Sequence, residues 1–169
     1  MRPRPPLPEG PYLVVGLARS GVAAALMLSE HGDVIGVDRG VRPLESPTLR
    51  GSDPFEAHWE RDGVDLLERV RTVVKSPGVP KEAAVIAAAR ERGVEIVGEM
   101  EMAWRLLPNE FIAVTGTNGK TTTVELLGAM HRAAEVPVAV AGNVGTPLSS
   151  LVGQIAPETL RQSLPRVFT

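Results

Sequence analysis

At 169 residues the chain has room for one large domain, or for one small domain and part of another, and 43% hydrophobic with 22% charged residues is ordinary globular composition. A formal net charge of −2 leaves no electrostatic footprint for nucleic acid, and no Lys/Arg block marks a membrane surface. With no cysteine, neither a disulfide framework nor a thiolate metal site can form.

The start, Met1-Arg2-Pro3-Arg4-Pro5-Pro6-Leu7-Pro8, has charge but no apolar stretch behind it, so residues 1–10 read as a disordered leader. No apolar run approaches the ~18 residues of a membrane span, and a cytoplasmic protein is expected. Tyr12-Leu13-Val14-Val15-Gly16 is a short β-type run that enters the glycine turn Gly16-Leu17-Ala18-Arg19-Ser20-Gly21, then an Ala/Leu-rich helical pattern to His31. Strand, glycine turn and helix open a Rossmann-like unit. The next strand, Asp33 to Asp38, ends in an acid about 20 residues beyond the turn, where a ribose or base contact belongs. A middle Ala18 restricts backbone approach to a diphosphate a little; the turn could still bind one, its alternative reading being packing alone, as Asp38 and Arg39 have an alternative reading as solvated charges.

Arg42 to Gly63 is rich in Pro, Gly, Ser and Asp without a clear period, which predicts loop with at most a weak strand. Arg71 to Lys75 reads as a strand running into the turn Ser76-Pro77-Gly78-Val79-Pro80. Lys81 to Arg92 reads as helix, with Gly93 at its C′ position, Val94 to Val97 as strand, and Glu99 to Leu107 as a short helix stopped by Pro108. Pro108-Asn109-Glu110 is the predicted domain boundary. The alternation up to that point argues for an α/β fold with a parallel sheet.

A second unit begins at Phe111-Ile112-Ala113-Val114, an apolar run that ends in Thr115-Gly116-Thr117-Asn118-Gly119-Lys120-Thr121-Thr122-Thr123. Gly116 and Gly119 let backbone N–H groups converge on phosphate oxygens, and the helix start that follows adds partial positive charge. Lys120 would reach the β/γ-phosphates and the Thr121 hydroxyl would join a Mg²⁺ shell. Relative to GxxxxGK[ST], the first glycine is displaced: Val114 stands where the pattern needs it. After a helix from Thr121 to about Ala134, Val136 to Val140 leads to Ala141-Gly142-Asn143-Val144-Gly145-Thr146-Pro147; two strands are expected here.

Thr-Gly-Thr-Asn-Gly-Lys-Thr-Thr resembles the ATP loop of the Mur ligases and folylpolyglutamate synthetases. Taken in order with Gly-Leu-Ala-Arg-Ser-Gly, Val-Asp-Arg, Lys-Ser-Pro-Gly-Val-Pro, Glu-Ile-Val-Gly-Glu-Met-Glu and Gly-Asn-Val-Gly-Thr-Pro, it is similar to the Mur ligase branch that adds D-glutamate to UDP-N-acetylmuramoyl-L-alanine. The resemblance runs from about Tyr12 to Leu148. It implies a Rossmann-like domain over residues 11–108 that binds the UDP-substrate, with Arg19, Ser20 and Gly21 near the diphosphate, Asp38 and Arg39 near the uridine, and Ser76, Pro77 and Gly78 lining the same cleft. Asn143 would contact the muramoyl-alanine part, its alternative role being a helix cap.

For residues 109–151 the resemblance implies the start of an incomplete P-loop ATPase domain. There Gly116, Thr117, Asn118, Gly119, Lys120, Thr121 and Thr122 would bind ATP, Lys120 would be catalytic and Thr121 would be a partial Mg²⁺ site. The implied chemistry is an acyl phosphate formed from ATP and captured by the amine of D-glutamate, in a monomer. Residues 152–169 match no motif of the family and are expected to be a divergent tail on a truncated chain without full activity. Two rival functions stay open: a non-catalytic nucleotide-binding fragment, and an NAD-dependent oxidoreductase using the first glycine turn and Asp38.

Overall fold

A computed structural model describes residues 3–42, 54–142, 145–154 and 166–168. Its larger body is a five-stranded parallel sheet of β1 (Tyr12–Val15), β2 (Val34–Val37), β3 (Glu56–His58), β4 (Thr72–Lys75) and β5 (Glu95–Gly98), in the spatial order β3-β2-β1-β4-β5. Helices α1 (Arg19–Ser29), α2 (Ala84–Glu91) and α3 (Glu99–Leu106) connect or follow these strands. The central strands β1, β2 and β4 are nearly continuous buried runs because both faces of the sheet are covered there. Alternation sends Tyr12 and Val14 into a cluster with Ala24, Leu28, Met102 and Ala103 of α1 and α3. Leu13 and Val15 point the other way, into a cluster with Val85, Ile86 and Ala89 of α2 and with Leu66 and Leu67 of a 3-10 helix at Val64–Arg69. This is the expected Rossmann-like α/β architecture.

Strand order reverses beside β1. The chain steps outward through β2 to β3, then returns to place β4 on the opposite edge of β1, so that Val15 stands in register between Val37 and Lys75. The carboxyl ends of β1, β2 and β4 therefore meet at a topological switch point, where doubly wound sheets open a crevice.

The second body differs from the two-strand expectation. Strands β6 (Phe111–Ile112) and β7 (Val138–Val140), joined through α4 (Lys120–Ala133), are not neighbours: β8 (Arg166–Phe168) lies between them, parallel to both, with Val167 in register with Phe111 and Ala139. A three-residue segment just after Pro165 is too short to show a period, which is why the sequence reading placed it in a divergent tail. The rest of that tail after Gln154 lies outside the described residues, as does most of the loop after Arg42. The 3-10 helix Leu148–Leu151 turns back onto α1 and α3. Leu148, 1% exposed, joins the cluster of Leu28 and Met102, and the Ser149 N–H donates to Oε1 of the buried Glu99 at 3.0 Å.

Residues 3–10, expected to be a disordered leader, have neither helix nor strand but are tied down at several points. The Tyr12 hydroxyl donates to the Pro8 carbonyl at 2.9 Å, Thr72 Oγ1 to the Glu9 carbonyl at 2.8 Å, and Arg105 to the Pro6 carbonyl at 2.8 Å. The Arg4 guanidinium donates to the carbonyls of Trp104 and Asn109 and lies 5.2 and 4.9 Å from the Trp104 and Phe111 ring centres. Such stacking suits a planar, weakly hydrated cation.

At the far edge, Arg69 donates to both carboxylate oxygens of Glu56, at 3.1 and 2.6 Å. That pairing first, and His58 second, hold the Glu56 carboxyl down to about 2. A depressed carboxyl stabilises the fold above its unfolded value of 4.5 and loses that contribution as pH falls through 2. Because the pair is solvated, the effect should stay under about 1 kcal/mol. Urea melts of Glu56→Gln and the parent should differ at pH 7 and converge toward pH 2; a constant gap would contradict this.

Candidate functional site

The crevice at the switch point is a cleft of about 710 Å³. Its floor is the glycine turn between β1 and α1, contributing Gly16, Ala18, Arg19 and Ser20; one wall is the end of β2 with Val37, Asp38 and Arg39. The opposite wall is the turn after β4, Ser76 to Pro80, continued by the start of α2. Of the eight candidates the sequence placed in the first domain, Arg19, Ser20, Asp38, Arg39, Ser76, Pro77 and Gly78 thus come together.

Gly21 does not face the cleft. It is buried in the first turn of α1, where a Cβ would collide with the Gly16 carbonyl oxygen and lie 2.7 Å from Ser76 Oγ, so its absent side chain lets the helix seat against the turn. Its expected place beside the diphosphate is in this sense indirect. Asn143 lies outside the described residues.

The glycine turn is fixed from three sides. Gly16 has φ 88°, a conformation that favours glycine, and its N–H donates to the Val37 carbonyl at 2.8 Å. The Ser76 hydroxyl donates to the Gly16 carbonyl at 2.7 Å, and the Leu17 N–H donates to Asp38 Oδ2 at 2.6 Å. Asp38 Oδ1 accepts from the Gly40 N–H at 2.7 Å. The N-cap of α1, Ala18, offers no side-chain cap, and no acid stands in the first turn. The leading amides and the helix dipole therefore favour an anion there.

Residues outside the eight candidates also shape the cleft region. Arg61 and Asp62 line it beside Asp38, and the Arg61 N–H donates to the Asp38 carbonyl at 3.2 Å. They sit in the stretch with no period, so nothing local marked them. Lys75 donates through Nζ to the carbonyls of Ser76 at 3.1 Å and Val79 at 2.6 Å, bracing the Ser-Pro-Gly turn. Burial first, and the Lys81 charge second, push its ammonium below the usual lysine range.

In the second body, Gly116 (φ 147°) and Gly119 (φ 75°) take backbone conformations that L side chains rarely adopt, and α4 begins at Lys120 with Gly119 as an uncapped N-cap. A Cβ built at Gly119 meets nothing within 4 Å, so the loop surface is open to a large anion. Lys120 Nζ donates to the Gly116 carbonyl and, at 3.4 Å, to the Thr117 carbonyl, holding its charge over the exposed loop. Asn118, Thr121 and Thr122 are likewise exposed. These residues fit a polyphosphate. For Mg²⁺ the fit is partial: Thr121 offers one hydroxyl, and among the described residues no group of three His, Cys, Asp or Glu could hold a metal.

Residues 11–98 match the model of the Mur ligase MurD-like N-terminal domain. The chain belongs to that Mur ligase family. It is 37% identical over 160 residues to the UDP-N-acetylmuramoylalanine–D-glutamate ligase of Natranaerobius thermophilus, covering 87% of this chain and 34% of the relative. With the enzyme of that name from Caldanaerobacter subterraneus subsp. tengcongensis it shares 41% over 145 residues, 84% of this chain and 32% of the relative. The chain therefore spans about a third of the length of the curated Mur ligases it matches.

Among solved structures, the UDP-N-acetylmuramate:L-alanyl-γ-D-glutamyl-meso-diaminopimelate ligase from Neisseria meningitides superposes with TM-score 0.56 at 18% identity, covering 93% of this chain and 51% of that one. The murein peptide ligase from Psychrobacter arcticus gives 0.55 at 19%, covering 93% and 36%. At such identities these Mur ligase structures speak for the fold alone. Among the described residues, no helix is long and apolar enough to cross a membrane.

Proposed function

We propose that residues 11–108 bind the uridine diphosphate end of UDP-N-acetylmuramoyl-L-alanine, and that residues 109–151 begin the ATP-binding unit of a ligase that joins D-glutamate to it. The observation that carries this reading is the cleft at the β1/β4 switch point: it gathers the uncapped α1 N-terminus, Arg19 and Ser20 on one side and Arg39 on the other. Diphosphate oxygens would take the α1 amides and the Arg19 guanidinium, with Ser76, Pro77 and Gly78 closing the opposite wall and Asp38 and Arg39 on the uridine side. Asn143 is retained as the muramoyl-alanine contact.

In the proposed reaction the γ-phosphoryl group of ATP passes to the L-alanine carboxylate and ADP departs. The amine of D-glutamate then attacks the acyl phosphate carbon, and the tetrahedral adduct collapses to amide and inorganic phosphate with loss of a proton from nitrogen. Gly116 to Gly119, with Thr122, would cradle the phosphates through backbone amides, and Lys120 would offset charge on the moving phosphoryl group, a role whose loss costs ~3 kcal/mol of transition-state stabilisation. When bound, Mg²⁺ would neutralise phosphate charge, with Thr121 as its one protein ligand here. The polypeptide is proposed to bind its nucleotide substrate as a monomer.

Titration calorimetry with UDP tests the first half. Saturable binding is expected, weakened ~10-fold in Arg19→Ala by loss of a charged hydrogen bond, and undisturbed by NADH. No heat at millimolar UDP, or displacement by NADH, would remove the reading. For the ATP loop, Lys120→Ala should abolish the thermal stabilisation that ATP confers.

A further inference from the structure

The carbonyl of Trp104, in the last turn of α3, would ordinarily accept from the N–H four residues on, but that residue is Pro108, which has none. The Arg4 guanidinium supplies the missing donor. Its other terminal nitrogen donates to the carbonyl of Asn109, a linker residue that is 0% exposed, and its central carbon lies 4.9 Å from the ring centre of Phe111, the first residue of β6. One side chain near the start of the chain thus holds the end of the first body, the linker and the beginning of the second body. We propose that residues 3–10 are a strap that fixes the angle between the two bodies, with Arg4 locking the linker. Because β6 leads into the glycine loop that opens α4, that angle also sets where the loop stands relative to the cleft.

By composition Pro108-Asn109-Glu110 is a linker about which two bodies would move by default. Here it is seated: Leu107 is buried and its N–H donates to the Ala103 carbonyl at 2.9 Å, while Arg4 holds the carbonyl two residues further on. The arm that carries Arg4 is itself anchored on the first body. Thr72 Oγ1 and the Tyr12 hydroxyl donate to the Glu9 and Pro8 carbonyls at the amino ends of β4 and β1, Arg71 pairs with Glu9, and Leu7 packs against the cluster of Leu28 and Met102. The rings of Pro3, Pro5, Pro6 and Pro8 fix φ, so the arm gives up little backbone freedom when it docks. A cation at the carboxyl end of α3 also meets the negative end of the helix dipole, and a planar guanidinium can donate to two carbonyls while lying over a ring, which an ammonium cannot. The contact of Ser149 N–H with Glu99 Oε1 lies at the opposite end of α3, so the two attachments together restrain a rotation that either alone would allow.

The chain has no cysteine, so spin labels go only where cysteines are placed. Glu91→Cys with Ala129→Cys puts labels on exposed positions of α2 and α4, one on each body, whereas Glu30→Cys with Glu91→Cys puts both on the first body. Double electron–electron resonance should give a narrow distance distribution for each pair when Arg4 is present. Adding Arg4→Ala should widen the first distribution about twofold or more, as the bodies regain independent motion, and leave the second distribution and the far-UV circular dichroism unchanged. If Arg4→Ala does not fold, Arg4→Lys, which keeps the charge but not the fork that reaches two carbonyls, carries the same comparison. An unchanged first distribution, or one already as broad with Arg4 in place, would overturn the inference. So would equal widening of both pairs or a loss of helical signal, since Arg4 would then support the fold of a body and not the angle between two.

Discussion

Gly21→Ala should destabilise the chain by ~3 kcal/mol, at the upper end of what overpacking costs. A single methyl group there would overlap the Gly16 carbonyl oxygen and press on Ser76 Oγ, and the first of these is backbone that cannot rotate aside. Relief requires α1 to slide off the glycine turn. That movement would open the cluster of Ala24, Ala25 and Leu28 beneath the helix, so the cost is shared with the core. For a domain of about 100 residues ~3 kcal/mol corresponds to a fall in Tm of roughly 12–24 °C. Gly78→Ala supplies the contrast: a Cβ at Gly78 meets no atom within 4 Å, although the residue lines the same cleft. Its stability should stay within ~0.5 kcal/mol of the parent. Thermal melts showing equal Tm for both variants would mean that Gly21 is not the contact that seats α1.

Strands β1, β2, β4 and β5 and the helices among them were legible because each carries its own period. Tyr12-Leu13-Val14-Val15 can only be a two-faced buried strand, and the glycine turn after it has one plausible continuation. Helix α2 starts at Ala84 rather than Lys81 because the turn from Pro80 continues, with Ala83 N–H donating to the Pro80 carbonyl at 3.2 Å and Ala83 still extended. The 3-10 helix Val64–Arg69 escaped because six residues in that geometry have no helical period to recognise. Strand β3 is three residues long and only partly buried, which leaves Glu56-Ala57-His58 looking like loop.

At the site, the order of Gly16, Asp38 and Ser76 was readable, but not the directions of their polar atoms. Asp38 and Leu17 are 21 residues apart, and Ser76 and Gly16 are 60 apart, so their hydrogen bonds exist only once the sheet has been assembled. The same reason hides the leader's attachment. Arg4 looks like a solvated charge among prolines until Trp104 and Phe111, 100 and 107 residues later, are brought beneath it.

Leu148→Ala should cost ~2–5 kcal/mol, the usual penalty for truncating a buried leucine, and should also detach one element from the first body. Leu148 is the deepest residue of the 3-10 helix that returns to α1 and α3, and its side chain sits in the cluster built by Leu28 and Met102. Beside it the Ser149 N–H donates to the buried Glu99 Oε1 at 3.0 Å. By contrast, the sheet β6-β8-β7 has strands of two or three residues, and α4 leaves Leu126 and Met130 exposed on its surface. So little buried apolar surface offsets poorly the ~1–2 kcal/mol of backbone entropy lost per ordered residue. Attachment of residues 111–151 to the first body therefore depends on Leu148, Glu99 and Arg4 more than on their own sheet. Hydrogen exchange should show the Ser149 amide protected in the parent and fast in both Leu148→Ala and Glu99→Ala. Amides of β1 and β4 should stay slow in Glu99→Ala. Limited proteolysis should cut the parent first in the exposed loop 115–119, whereas Leu148→Ala should add early cuts between 145 and 154. An unchanged Ser149 exchange rate in Leu148→Ala would show that the 3-10 helix is held by something other than the buried leucine.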